Sequence, residues 1–224
     1  MKHLQDILQE GLLDVDMKNN PNFKDVIKKF LRENYKGSAS CKISRQPNSD
    51  GKYVVDPKGN IEVKNPHMDS LTNGLFIFGE AEKDFICSNC RSLTSLEGAP
   101  KVVGGFFMCE NCVSLISLEG APKIVGGIFS CVGCKLLTSL EGAPEEVGSH
   151  FLCRDCTSLT SLEGVPKKVK SWFDCSNCTS LTSLEGAEDT EAGYFDCLDC
   201  NSLTSLKGAP KLKEGVMHVP PHLK

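Results

Sequence analysis

The sequence predicts a mainly β fold: a solenoid of about seven 22-residue coils, preceded by a small α+β N-terminal region. Three observations predict it. Cys87, Cys109, Cys131, Cys153, Cys175 and Cys197 stand 22 residues apart without exception. Each has a Phe two residues before it and a second Cys three residues after it. Leu recurs at fixed offsets between the second Cys and the Gly-Ala-Pro turn that follows it. A period of this length marks coils that cannot bury an apolar face alone and gain a core only by stacking.

The elements follow in order. Residues 4–13 place Leu4, Ile7, Leu8, Leu12 and Leu13 at helical spacing, so residues 1–14 read as an amphipathic helix. Phe23, Val26, Ile27, Phe30, Leu31 and Tyr35 repeat that pattern after Pro21, with Asn22 as the expected cap. Within the small region 15–62, Lys52 to Val55 and Asn60 to Lys64 flank Asp56-Pro57-Lys58-Gly59, which predicts a hairpin. Counting back 22 from Phe85, Cys87, Cys90 and Leu93 reaches Val63, Asn65, Met68 and Leu71, so residues 63–84 form a degenerate cap coil. Regular coils start at Phe85, Phe107, Phe129, Phe151, Phe173 and Phe195. Counting forward reaches Met217 and Val219, so the solenoid spans 63–219 and residues 220–224, opening with Pro220 and Pro221, are a tail.

Within one coil, Phe107 and Cys109 share a strand face, because side chains two apart point the same way. The chain bends at Cys112, and Leu115 and Leu118 follow. Glu119 to Pro122 turn, Val125 returns to the core, and Gly126 and Gly127 lead onward. Coils stacked about 4.8 Å apart turn identical residues into ladders.

The string CxSLTSLEGAPxxVGG resembles a leucine-rich repeat of the bacterial kind over residues 63–219. The resemblance implies β-rich coils without a convex-side helix, and a binding surface as the usual role. It also implies that Cys90, Cys112, Cys134, Cys156, Cys178 and Cys200 take the inward Asn/Cys position that satisfies loop backbone.

Composition excludes other classes. The net charge of −4 is uneven: residues 1–84 hold 13 Lys+Arg against 13 Asp+Glu, and the rest hold 12 against 16. Nothing there attracts phosphate backbones, so no nucleic-acid partner is expected. No stretch approaches the roughly 20 apolar residues of a membrane span. Asp6 and Glu10 break the early apolar stretch, so no signal peptide is read, and a reducing cytoplasm fits the thirteen cysteines.

Two neighbouring Cys-x-x-Cys pairs would supply four thiolates to a metal, so a metal- or redox-active protein using Cys87, Cys90, Cys109, Cys112, Cys131, Cys134, Cys153, Cys156, Cys175, Cys178, Cys197 and Cys200 is one reading. A buried core is the preferred one. Every coil carries the same pair with no distinct partner, and the Cys87 column shares the inward face with Phe as a small hydrophobe. Cys41 stands outside the array as a lone strand or loop thiol. His3, His67, His150, His218 and His222 show no metal spacing, and Glu97, Glu119, Glu141, Glu163 and Glu185 form a column of like charge expected to stay solvated. No catalytic residue, metal site or cofactor is expected.

The positions flanking the inward Phe point outward: Phe106 with Met108, Ile128 with Ser130, His150 with Leu152, Trp172 with Asp174, and Tyr194 with Asp196. Phe106, Met108, Ile128, His150, Leu152, Trp172 and Tyr194 therefore form an apolar stripe of the residue types enriched at interface cores. It predicts a protein partner or self-association, unless the N-terminal helices fold over it. Late coils lose regularity: Glu188 replaces the Pro, Glu191 the Val, and Lys170 and Ala192 the first Gly.

Met1, Lys2, Gln5, Asp6, Ile7, Leu8 and Glu10 resemble the capsid-targeting peptide of tailed-bacteriophage head proteins, although an ordinary amphipathic helix fits them equally. The resemblance implies packaging in the virion, trimming after Glu10 and delivery to the host bacterial cytoplasm. There the protein would bind a host defence protein, or serve only as a structural virion component with no host target.

Overall fold

A computed structural model describes residues 23–37, 41–72, 74, 76–213 and 215–224, and it is a β-solenoid of about seven turns preceded by one helix. The helix expected over 4–13, the capping pair Pro21–Asn22 and the targeting motif lie outside the described residues. Helix α1 (Phe23–Asn34) buries Phe23, Ile27, Phe30 and Leu31 on one face, with Asp25 in its first turn and Arg32 in its last. Its rings pack on Tyr53, Tyr35 and Phe76. Strand β1 (Tyr35–Lys36) follows directly and pairs antiparallel with β4 (Ile61–Val63), which opens the parallel ladder. The first strand of the parallel ladder is thereby covered by the chain itself, and the two-residue β1 becomes the sheet's end strand.

The hairpin does not form. Strand β3 (Tyr53–Pro57) pairs antiparallel with β2 (Cys41–Ile43) and parallel with β5 (Phe76–Phe78), making a separate three-stranded sheet. Asp56 to Asn60 is a corner between two sheets. Both strands alternate buried and partly exposed residues, but Ile61 is drawn onto Phe85 in the ladder. That pairing also corrects the cap register. Ile61, not Val63, stands opposite Phe85, a spacing of 24 residues, and Val63 takes the column of Cys87. The period of 22 is restored by Ala81 opposite Val103.

Each coil contributes two short strands. One ladder runs through Phe85–Ile86, Phe107–Met108, Phe129–Ser130 and Phe151–Leu152, all parallel and in 22-residue register. The second runs through Glu80–Ala81, Val102–Val103, Ile124–Val125 and Glu146–Val147. Gly104–Gly105 and Gly126–Gly127 separate the two strands in their coils. Where Lys170–Ser171 replaces the Gly pair, the chain stays extended from Lys168 to Asp174 and joins both ladders, as does Glu191–Asp196. Between these two strands the register slips by one: Val169 pairs with Ala192, while Trp172 pairs with Tyr194. Ala192, which is buried, is therefore the residue in the Val position, and Glu191 is exposed beside Lys168.

The core is a set of columns. Phe85, Phe107, Phe129, Phe151, Phe173 and Phe195 are fully buried. Their first four rings stack 5.8, 5.6 and 5.3 Å apart within 7° of parallel. Phe173 then turns edge-on to Phe151 at 75°. Leu columns at Leu93 and Leu96 and their equivalents fill the other side. Close stacking requires glycine at the turn: Gly120, Gly142 and Gly164 hold φ of 86–88°, and a Cβ on Gly142 would meet the Glu119 backbone nitrogen at 2.6 Å.

Candidate functional site

The outward face of the first ladder carries the stripe. Phe106, Ile128, His150, Trp172 and Tyr194 precede successive inward Phe residues, and the Phe106, Ile128 and His150 carbonyls accept the amides of Phe85, Phe107 and Phe129 in the preceding coil. Backbone pairing therefore sets the side-chain spacing. Phe106 and Tyr194 are 39% and 44% exposed, and Met108, Ile128, His150, Leu152 and Trp172 are half-buried. Helix α1 makes its ring contacts at the cap end, on Tyr53, Tyr35 and Phe76 rather than on the stripe, and the helix expected over 4–13 lies outside the described residues.

Local contacts hold the aromatics flat. A Cβ on Gly127 would lie 2.5 Å from the Phe106 ring, and one on Gly215 would lie 3.0 Å from Tyr194, so glycine seats each ring on the next coil. Trp172 stacks on Tyr194 at 5.4 Å and meets His218 edge-on at 6.1 Å. The Trp172 amide donates to His150 Nδ1 at 3.3 Å. Ordered aromatics lose little rotamer freedom on docking, which favours their use as anchors. Sequence parity missed two features. Val216, 60% exposed, continues the column beyond Tyr194, and Ser130 is buried, donating its hydroxyl to Glu110 Oε1 at 2.6 Å.

All twelve cysteines of the array are buried and free. The second thiol of a coil donates to the carbonyl of the first cysteine in the preceding coil: Cys112 to Cys87, Cys134 to Cys109, Cys156 to Cys131, Cys178 to Cys153 and Cys200 to Cys175, at 3.1–3.3 Å. Cys109 and Cys197 of the first column donate to Ser130 and His218 at 3.4 Å. The bend between the two cysteines uses a left-handed residue, namely Asn89, Asn111, Gly133, Asp155, Asn177 or Asp199. Burial pushes the thiols of Cys87, Cys153 and Cys175 well above the ordinary range, and that of Cys197 up to about 12. Cys197 is both raised and a donor to the His218 carbonyl, and a thiol kept neutral in this way is a poor nucleophile. Contacts with Cys134 and Cys90, in contrast, lower the thiol of Cys112, and the contact with Cys175 lowers that of Cys200. Among the described residues no three His, Cys, Asp or Glu side chains converge as a metal ion requires. Cys41 lies half-buried in β2, its thiol raised to about 11 by burial.

The thiol ladder predicts a graded effect of substitution. Cys134→Ser keeps a donor for the Cys109 carbonyl, whereas Cys134→Ala removes it and leaves a small void. Alanine is expected to cost about 1–3 kcal/mol and serine clearly less, read from urea midpoints. Equal losses would mean that the thiol acts by volume alone.

The other candidates do not converge. Glu97, Glu119, Glu141, Glu163 and Glu185 are exposed, and the amides of Glu97, Glu119 and Glu185 bond the hydroxyls of Ser95, Ser117 and Ser183. His67 is exposed, and His222 Nε2 lies 2.8 Å from the Leu203 carbonyl. An open groove of about 500 Å³ beside β5 has a Gly-Ala floor and rim charges from Lys101, Lys123, Glu119 and Glu145, and among the described residues no buried side-chain polar atom is left without a partner to receive a ligand there. No protein-family model, curated protein or solved structure matches the chain.

Proposed function

We propose that the protein is a non-enzymatic binding protein of the leucine-rich-repeat type that docks another protein on the stripe from Phe106 to Tyr194. The observation that carries this reading is the apolar stripe itself, contiguous across five coils on a hydrogen-bonded ladder. Large aromatics left in water at such spacing mark an interaction surface rather than ordinary surface composition. Inward second cysteines that bond the preceding coil's backbone support the leucine-rich-repeat assignment. The resemblance of residues 1–10 to a capsid-targeting peptide supports a narrower version, in which a packaged bacteriophage protein enters the host cytoplasm and inhibits a defence protein.

Replacing Trp172 and Tyr194 together with Ser is expected to abolish capture of the partner from host lysate while leaving the thermal midpoint within a few degrees, since both rings lie on the outer face. Capture that survives in a folded double variant would remove the stripe from the function. Detection of the chain in particles, trimmed after Glu10 but retrieving no host protein, would assign it to the virion instead.

A further inference from the structure

We infer that the stripe takes a segment of its protein partner that is apolar where it meets Phe106 and Met108 and cationic where it meets Trp172 and Tyr194. This rests on the stripe being a docking face and adds the chemistry of its occupant. The column beside the aromatics changes character along the solenoid: Met108, Ser130 and Leu152 give way to Asp174 and Asp196. Asp174 and Asp196 stand directly opposite each other on adjacent parallel strands. Like charges in that position destabilise a sheet.

Elsewhere the ladders and their turns neutralise such charges across neighbouring coils. Lys123 reaches Glu145 at 3.1 Å, Lys211 reaches Asp189 at 3.0 Å, and Lys213 reaches Glu191 at 2.8 Å. Among the described residues no Lys or Arg pairs with Asp174 or Asp196. Among the described residues Asp196 Oδ2 meets the His218 ring, at 3.2 Å, with the Asp196 side chain 15% exposed. Asp174 Oδ1 is held by the amide and hydroxyl of Ser176, and Asp196 Oδ1 by the amide of Leu198, so both carboxylates are fixed beside the Trp172–Tyr194 stack. Fixed carboxylates next to aromatic faces suit a guanidinium, which can donate to the outer Asp174 oxygen and stack on the ring. Four coil steps separate Phe106 from Tyr194, roughly 19 Å, the length of about six extended residues.

Trp172 is the chain's one tryptophan, so its emission reports docking directly. The probes are two synthetic peptides of about twelve residues with identical Leu and Phe positions and no Trp, one carrying Arg and the other Glu at the remaining positions. The Arg peptide is expected to shift Trp172 emission saturably and to bind about tenfold or more tighter than the Glu peptide, the size of two modest ion pairs. D174N/D196N, which keeps the side-chain acceptors for Ser176 and Leu198, should bring the two peptides within about twofold. E119Q/E141Q removes the same charge from the turn column and should leave the gap intact. Equal binding of both peptides by the unaltered protein would overturn the cation preference and leave the docking face standing. So would equal effects of the two charge variants, because the preference would then be net charge alone. Saturable binding of neither peptide would overturn both.

Discussion

Raising the pH above about 9 is expected to remove the greater part of the protein's stability within about two pH units. Cys87, Cys153 and Cys175 are held well above the ordinary thiol range by burial. In the unfolded chain the same thiols ionise near pH 8.5. The native state then binds more protons than the unfolded state, so stability falls as pH rises. Below the unfolded pKa both states are protonated and the full stability is present. Above it each thiol that stays neutral in the fold costs about 1.4 kcal/mol per pH unit, so these three alone cost about 4 kcal/mol per unit. Cys197 adds to the loss across the window from about 9 to about 12. Against a total of about 5–15 kcal/mol for a folded chain, the loss of about 8 kcal/mol or more over two units removes the greater part of a mid-range stability. Guanidinium midpoints at pH 7.5, 9 and 10 would show the slope, and a thiol reagent should label the array only as the fold is lost. A midpoint that stays flat to pH 10 would mean that the thiols are not neutral core groups.

That sensitivity follows from a feature legible in the sequence. Phe107 and Cys109 two residues apart, repeated at one spacing, place every first-column thiol on the inward face, so orientation in one coil is orientation in all. Parity also placed Phe106 and Tyr194 on the outer face of the ladder, but it failed at Ser130, which flanks Phe129 and is buried. What stayed hidden depended on partners rather than period. The alternation of Tyr53, Val55, Ile61 and Val63 is the same whether the strands pair with each other or join two sheets. Ile61 entered the ladder at 24 residues because a cap coil need not keep the period of the array. The second ladder was invisible because strands as short as Val102–Val103 show no alternation. The slip that puts Ala192 opposite Val169 reads in sequence as a substitution of Val by Glu191, since counting cannot distinguish a replaced residue from an inserted one. One further signal was present and unread: the Asn, Asp or Gly before each second cysteine, the residue types that tolerate a left-handed bend.

Phe129→Ala is expected to cost near the upper end of the 3–5 kcal/mol typical for removing a buried ring. The site cannot collapse. Phe129 lies between Phe107 and Phe151 at 5.6 and 5.3 Å, and the backbone ladders on either side hold the coils at fixed spacing. A cavity that neighbours cannot fill retains its full penalty, and two stacked contacts are lost with it. Phe195→Ala should cost less, because only Phe173 flanks it and its next coil offers the partly exposed Met217. In a solenoid each coil is stabilised by its neighbours, so the interior loss should also weaken coupling between the halves. Urea unfolding of Phe129→Ala followed by Trp172 emission and by circular dichroism should then give separated midpoints, whereas the unaltered chain gives coincident ones. Coincident transitions in the variant, with a loss no greater than that of Phe195→Ala, would mean that the ring column does not transmit stability along the solenoid.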